Sequence, residues 1–351
     1  MKQRQPTTKW VLLTLLSGCS VDAALPEAPP SPRQPAAPEL RYDFGCPNDA
    51  ELACTGLYGE YGIYWRSKRL GAGVEPFSPA MALWSDHTHK QRFVWLPPGT
   101  KIDTSAPDDW SFPVGTRFWK EFSYAVRRIE TRYLHKLGPQ QWRAATFRWT
   151  DDETHAVALY AGERNVPGTF QDSYEIPRAE QCQRCHNGAT DQILGFSAIL
   201  LGQSDAKGLT VARLEKQGLL SQPLPPLQLP GDSRERAALL HLHVNCGVAC
   251  HNPKFGSEAW WTGFHLKLEV GQLASPGETA TYRTGVGLES YIPREDGSGY
   301  MPLIAPGQPD ESAVFYRDGQ RDNALQMPPL GTHVIDEAGL TVLRDWIVAL
   351  P

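Results

Sequence analysis

The chain has 351 residues, 41% of them hydrophobic and 21% charged, with 34 basic against 39 acidic side chains and a formal net charge of −5. That is the composition of an ordinary globular protein of about two domains; it excludes fibrous or disordered material, and the acidic balance speaks against a nucleic-acid partner. Glycine (31) and proline (30) are frequent without a repeat period, which suggests a turn-rich, partly β body.

Lys2, Arg4 and Lys9 precede an apolar run at 10–16, too short to span a bilayer, that ends in Leu16-Ser17-Gly18-Cys19. This is the pattern of an export signal over 1–18. The residues before Cys19 resemble a bacterial lipobox, which implies that Cys19 is lipidated and anchors the chain to a membrane. By the same resemblance Ser20 implies the outer membrane, with the body facing the periplasm or the cell surface. Loss of the signal leaves 31 basic against 39 acidic residues, a net −8. Segment 19–40, with Pro26, Pro29, Pro30, Pro32, Pro35 and Pro38, reads as an extended tether. Cys46 and Cys54 bracket a short loop in a compartment that permits disulfides, so they are expected to pair.

Over 41–165 the runs 92–96, 116–122, 127–133 and 142–149 alternate polar with apolar residues and are separated by turns, the pattern of an antiparallel β-sandwich or barrel. We take the sandwich. Trp84, Trp95, Trp110, Trp119, Trp142 and Trp149 fit either its core or a docking surface, with the core preferred. Asp86-His87-Thr88-His89 has metal-ligand spacing, although two histidines more often carry no metal.

The chemistry begins in the segment 166–230, at Cys182-Gln183-Arg184-Cys185-His186. Two cysteines two residues apart, followed at once by His, form the attachment signal for haem c: both thiols bond the vinyl groups and His186 serves as proximal ligand. Helices are expected around 193–201 and 209–219. Segment 231–351 opens with a helix over 233–245, where Asp232 and Glu235 have capping-box spacing. It leads into Cys246-Gly247-Val248-Ala249-Cys250-His251, a second such signal with one extra residue that Gly247 helps to accommodate. A short Cys246–Cys250 disulfide is the competing reading. Met327-Pro328-Pro329 offers a thioether, preferred over Met301-Pro302, and an amphipathic helix over 336–350 closes the chain.

The order helix, Cys-Cys-His, distant Met-Pro, closing helix over 233–351 resembles a class I cytochrome c, which implies His251 and Met327 as axial ligands. The pattern departs in its cysteine spacing and in an inserted region at 260–300 with strand-like pieces such as 264–270. Over 56–351 the chain also resembles bacterial, notably myxobacterial, dihaem c-type cytochrome lipoproteins, through Leu83-Trp84-Ser85-Asp86, Leu96-Pro97-Pro98-Gly99-Thr100, Phe112-Pro113-Val114-Gly115-Thr116, Leu194-Gly195-Phe196-Ser197-Ala198 and Cys250-His251-Asn252-Pro253. The implied fold is α+β multidomain: an N-terminal antiparallel β-sandwich followed by a mainly α, cytochrome c-like haem domain with a β-rich insertion.

One lipidated cysteine, one disulfide and two haems account for all seven cysteines. The implied cofactors are two covalently attached haem c groups. The sixth ligand of the first stays open among His241, His243, Met81, Met301, His87 and His89. The leading function is a non-catalytic carrier that passes electrons between redox protein partners. A dihaem peroxidase-like oxidoreductase with an open first haem, and a haem-free binding lipoprotein, are the alternatives.

Overall fold

The computed structural model describes residues 51–58, 69–294 and 297–351, all within the unit Phe44–Pro351. Cys19, Cys46 and the segments 1–18 and 19–40 lie outside the described residues. Cys54 is disulfide-bonded.

Seven strands form one antiparallel sheet: β1 Glu75–Ser78, β2 His89–Trp95, β3 Arg117–Tyr124, β4 Arg127–Gly138, β5 Gln141–Trp149, β6 Ala156–Ala158 and β7 Lys207–Gly208, in the order β6-β5-β4-β3-β2-β1-β7. The expected sandwich is therefore corrected to a single meander with one late strand added at its edge. The physical reason lies in the strand composition. A sandwich strand leaves its outer face polar, whereas here both faces are apolar. Phe93, Trp119, Tyr133 and Phe147 cover one face together with Leu52 and Leu57. Val94, Phe118 and, half-buried, Leu134 and Trp142 cover the other, against Phe196, Ile199, Leu214 and Leu240. Three of the six tryptophans between 84 and 149, namely Trp110, Trp119 and Trp149, are buried core residues.

The helices are short until late in the chain: α1 Cys182–His186, α2 Ala198–Leu201, α3 Val211–Lys216, α4 Ser233–Leu242, α5 Ala280–Gly285, α6 Ala313–Asp318 and α7 Glu337–Ala349. The expected helices at 193–201 and 209–219 shrink to α2 and α3. Asp232 caps α4 as its spacing predicts, accepting from Arg234 N (2.8 Å) and Glu235 N (3.0 Å), while Glu235 accepts from Asp232 N (3.1 Å). Asp336 caps α7 by accepting from Gly339 N. α4 and α7 pack through Ala238, Leu242, Leu343, Trp346 and Ile347 into a second core.

The inserted region is less β-rich than expected, with one small hairpin, β8 Glu289–Pro293 and β9 Tyr300–Pro302. Segment 264–270 is extended and buries Phe264, Leu266, Leu268 and Val270, but it joins no sheet. Its N–H groups go instead to Thr284 Oγ1, His251 O, His243 Nδ1 and Asp108 Oδ1. Among the described residues no helix is long and apolar enough to cross a membrane.

Candidate functional site

The Cys182–His186 helix lies against the sheet face that carries Arg92, Lys120 and Arg132. Cys182, Cys185 and His186 line a cleft that opens to solvent. Both thiols are free, and burial raises the pKa of each, partly offset by Arg132. His186 Nδ1 lies 2.5 Å from Gln192 O. A carbonyl only accepts, so Nδ1 carries the proton and Nε2 keeps its lone pair. Burial, with Lys120 and Arg132 adding to it against the hydrogen bond, brings the imidazole down to about 4, so it is neutral at pH 7. A neutral imidazole with Nδ1–H fixed by a carbonyl is the state in which histidine binds a metal through Nε2.

Gln192 presents that carbonyl from a left-handed turn (φ 59°). Its neighbour Asp191 fixes the turn to the sheet, accepting from Lys136 Nζ (2.5 Å), Phe112 N (2.7 Å) and Trp142 Nε1 (2.8 Å). Sequence reading missed Asp191, because nothing in its spacing marks it; its partners lie 49 to 79 residues away.

The second motif follows α4 through a π-helical turn, His243–Gly247. The extra residue between the cysteines is taken up by widened turns: Val248 N bonds His243 O and His251 N bonds Cys246 O, each five residues back. Gly247 is required for a different reason than local bulging. A side-chain carbon there would stand 2.4 Å from Lys267 N and 2.5 Å from Leu266 O, so the extended 264–270 segment can approach only a glycine. His251 repeats the His186 arrangement: Nδ1 lies 3.1 Å from Phe264 O, and burial brings it down to about 4.

Cys246 and Cys250 are free thiols in different surroundings. Cys246 packs into the core between α4 and α7, where burial holds its thiol well above the usual range. Cys250, pushed up to about 12 mainly by burial, lines the same cleft as Cys182 and Cys185. The two motifs interlock. Gly188 has no room for a side chain, its Cβ position lying 2.0 Å from Ala249 O. Arg184 pairs with Glu258 (2.9 Å) and Lys254 Nζ donates to Ala189 O.

Met327 is half-buried, and Arg317 O accepts its N–H at 3.0 Å. The guanidinium of the same Arg317 adds to the lowering at His251. Residues 328–332 then form part of the cleft wall. Asp86, from the loop with metal-ligand spacing, holds this wall: it accepts from Thr332 Oγ1 (2.6 Å), His333 N (2.9 Å) and Val334 N (3.1 Å). Among the described residues no group of three or more His, Cys, Asp or Glu side chains is arranged to hold a metal ion.

Of the candidate sixth ligands for the first haem, Met81 lines the cleft with His186. His241 is buried, with Nε2 3.6 Å from Asp318 and Nδ1 3.2 Å from Asn245 Nδ2. His243 Nδ1 accepts from Leu268 N, which places its proton on Nε2. His87 meets the Trp84 ring edge-on and the Phe170 ring at a tilt, His89 is exposed at the start of β2, and Met301 belongs to β9.

Compared with known proteins, the chain matches no protein-family model, no curated protein and no solved structure.

Proposed function

We propose that this chain is a c-type cytochrome that carries electrons without catalysing a reaction of its own. One haem would be held by Cys182, Cys185 and His186, and a second by Cys246, Cys250, His251 and Met327. The observation that carries the reading is the pair of imidazoles, each beside free thiols and each with Nδ1–H tied to a backbone carbonyl, Gln192 for His186 and Phe264 for His251. When bound, haem supplies one-electron chemistry that protein side chains lack. The residues do the rest. His186 and His251 are neutral and oriented, Cys182, Cys185, His186 and Cys250 line one cleft, and the close packing of Gly188 on Ala249 keeps the motifs adjacent. In this reading lipidated Cys19 fixes the protein to the outer membrane, and its acidic balance favours basic redox protein partners through salt-sensitive docking.

The test is a pyridine haemochrome count on protein matured in a host that attaches haem. The wild type is expected to carry two haems per chain, and Cys182→Ser/Cys185→Ser and Cys246→Ser/Cys250→Ser one each. Absence of covalent haem from the wild type would overturn the proposal. A second reading has one observation in its favour: Cys250 shares the first motif's cleft while Cys246 points into a core, which suits a single haem. It requires one haem in the wild type and no loss in Cys246→Ser/Cys250→Ser.

The alternative of a peroxidase-like enzyme needs an open iron at His186. Met81 stands in the wall of that cleft and would be the thioether within it available to the sixth position. Met81→Ala is therefore expected to convert one haem from low-spin to high-spin, read by electron paramagnetic resonance, and to let it bind cyanide. An unchanged spectrum would remove Met81 from the site.

A further inference from the structure

The floor of the cleft holds more positive charge than its neighbours neutralise. Arg92 of β2, Lys120 of β3 and Arg132 of β4 stand directly opposite one another in register, and all three line the cleft beside Cys182, Cys185 and His186. Like charges directly opposite on adjacent strands repel, the more so where burial removes the screening of water.

Arg132 alone has a carboxylate, Glu130, whose two oxygens lie 2.7 and 3.0 Å from its guanidinium. That carboxylate is shared, accepting also from Tyr174 at 2.5 Å. Arg92 is 5% exposed, and its Nε is buried without a hydrogen-bond partner. Among the described residues no hydrogen bond or ion pair reaches the side chain of Lys120. A fourth basic side chain, Lys90, which burial and the same neighbours hold well below the usual lysine range, donates to Leu83 O, and the next carboxylate, Asp86, is engaged by 332–334. The crowding lowers Lys120 to about 7, first through burial and then through Arg92 and Arg132. Three basic side chains spread across neighbouring strands, with one shared carboxylate between them, make an arrangement that suits an anion on the row.

We propose that Arg92, Lys120 and Arg132 form an oxyanion site that takes a carboxylate or an inorganic oxyanion lying in the cleft. Arg92 offers forked donors and Lys120 a compact point charge, the pair of chemistries that suits such a group. Two sources carry it. One is the propionate carboxylates of a haem bound at His186, which rests on the function proposed above; the other is a free anion such as phosphate, which does not.

Calorimetric titration of the haem-matured full chain with inorganic phosphate at constant ionic strength, with reduction potentials measured in parallel, separates the sources. Wild type and Lys120→Met are compared, and Arg92→Gln serves if Lys120→Met fails to fold. With a free anion as the occupant, phosphate binds the wild type and at least tenfold more weakly the variant. With propionates as the occupant, phosphate does not bind, and loss of the cation lowers the potential of one haem. If the purified chain proves haem-free, phosphate binding that Lys120→Met abolishes keeps the oxyanion site while the cytochrome reading falls. No phosphate binding, together with an unchanged potential or an absence of haem, overturns the site.

Discussion

Asp191→Ala is expected to cost about 3–5 kcal/mol of folding stability, the range for removing one partner of a buried ion pair. The side chains of Lys136 and Asp191 are 2% and 4% exposed, so the truncation leaves an ammonium in the core with the Ser111 hydroxyl at 3.5 Å and the Trp142 ring at 5.7 Å as uncharged neighbours. It also strands the Phe112 N–H and the Trp142 Nε1–H, each of which adds desolvation cost. Urea unfolding of the full chain measures the loss; a change below about 1 kcal/mol would show that the pair is solvated. The double replacement Lys136→Met/Asp191→Leu removes both charges together and is expected to recover much of the deficit, because two apolar side chains need no partner. A second readout separates stability from positioning. Asp191 holds the turn whose Gln192 carbonyl orients His186, so under the proposed haem binding Asp191→Ala is expected also to change the electron paramagnetic resonance g values of the haem held at His186, at temperatures where the chain is still folded.

Asp86→Ala is the other large effect, about 3 kcal/mol, and its origin is different. Two backbone N–H groups, of His333 and Val334, lose their acceptor, together with the Thr332 hydroxyl, and hydrogen bonds to a charged group are the strong ones. Asp86 also sits at φ 48°, where alanine carries a steric penalty of roughly 1–2 kcal/mol. Asp86→Gly removes that second contribution and isolates the first. Both variants are expected to accelerate hydrogen exchange of the amides at 333 and 334 by at least tenfold, while amides of β3 and β4 keep their protection. Equal exchange in variant and wild type would show that the 332–334 wall is held by other contacts.

The sequence carried the regular elements well where a local signal exists. The alternation in 92–96, 116–122, 127–133 and 142–149 marks the strands β2 to β5 to within a few residues at each end, and Asp232 with Glu235 marks the start of α4. It carried partner choice poorly. Segment 264–270 alternates as a strand does and buries the residues it should, yet its N–H groups bond scattered acceptors from four different places in the chain. Periodicity reports which side chains are buried, not what the backbone pairs with. The same limit explains the sandwich that proved to be one sheet, since a face covered by helices and loops looks from sequence like a face covered by strands. At the site, the Cys-Cys-His spacing and the two imidazoles were legible. The cationic row was not, because Arg92, Lys120 and Arg132 become neighbours only once the register of three strands is known.

The bond between Thr332 and Asp86 joins residues 246 apart in sequence, and the cleft it helps to enclose takes walls from near 80, 182, 245 and 330. Such a pocket is assembled from contacts of high contact order, which form late in folding because loop closure must precede any gain from them. A chain emerging from its N-terminus therefore presents Cys182 and Cys185 long before residues 328–332 arrive to cover them. The order of the chain itself gives the thiols an interval of exposure in which they are accessible from solution.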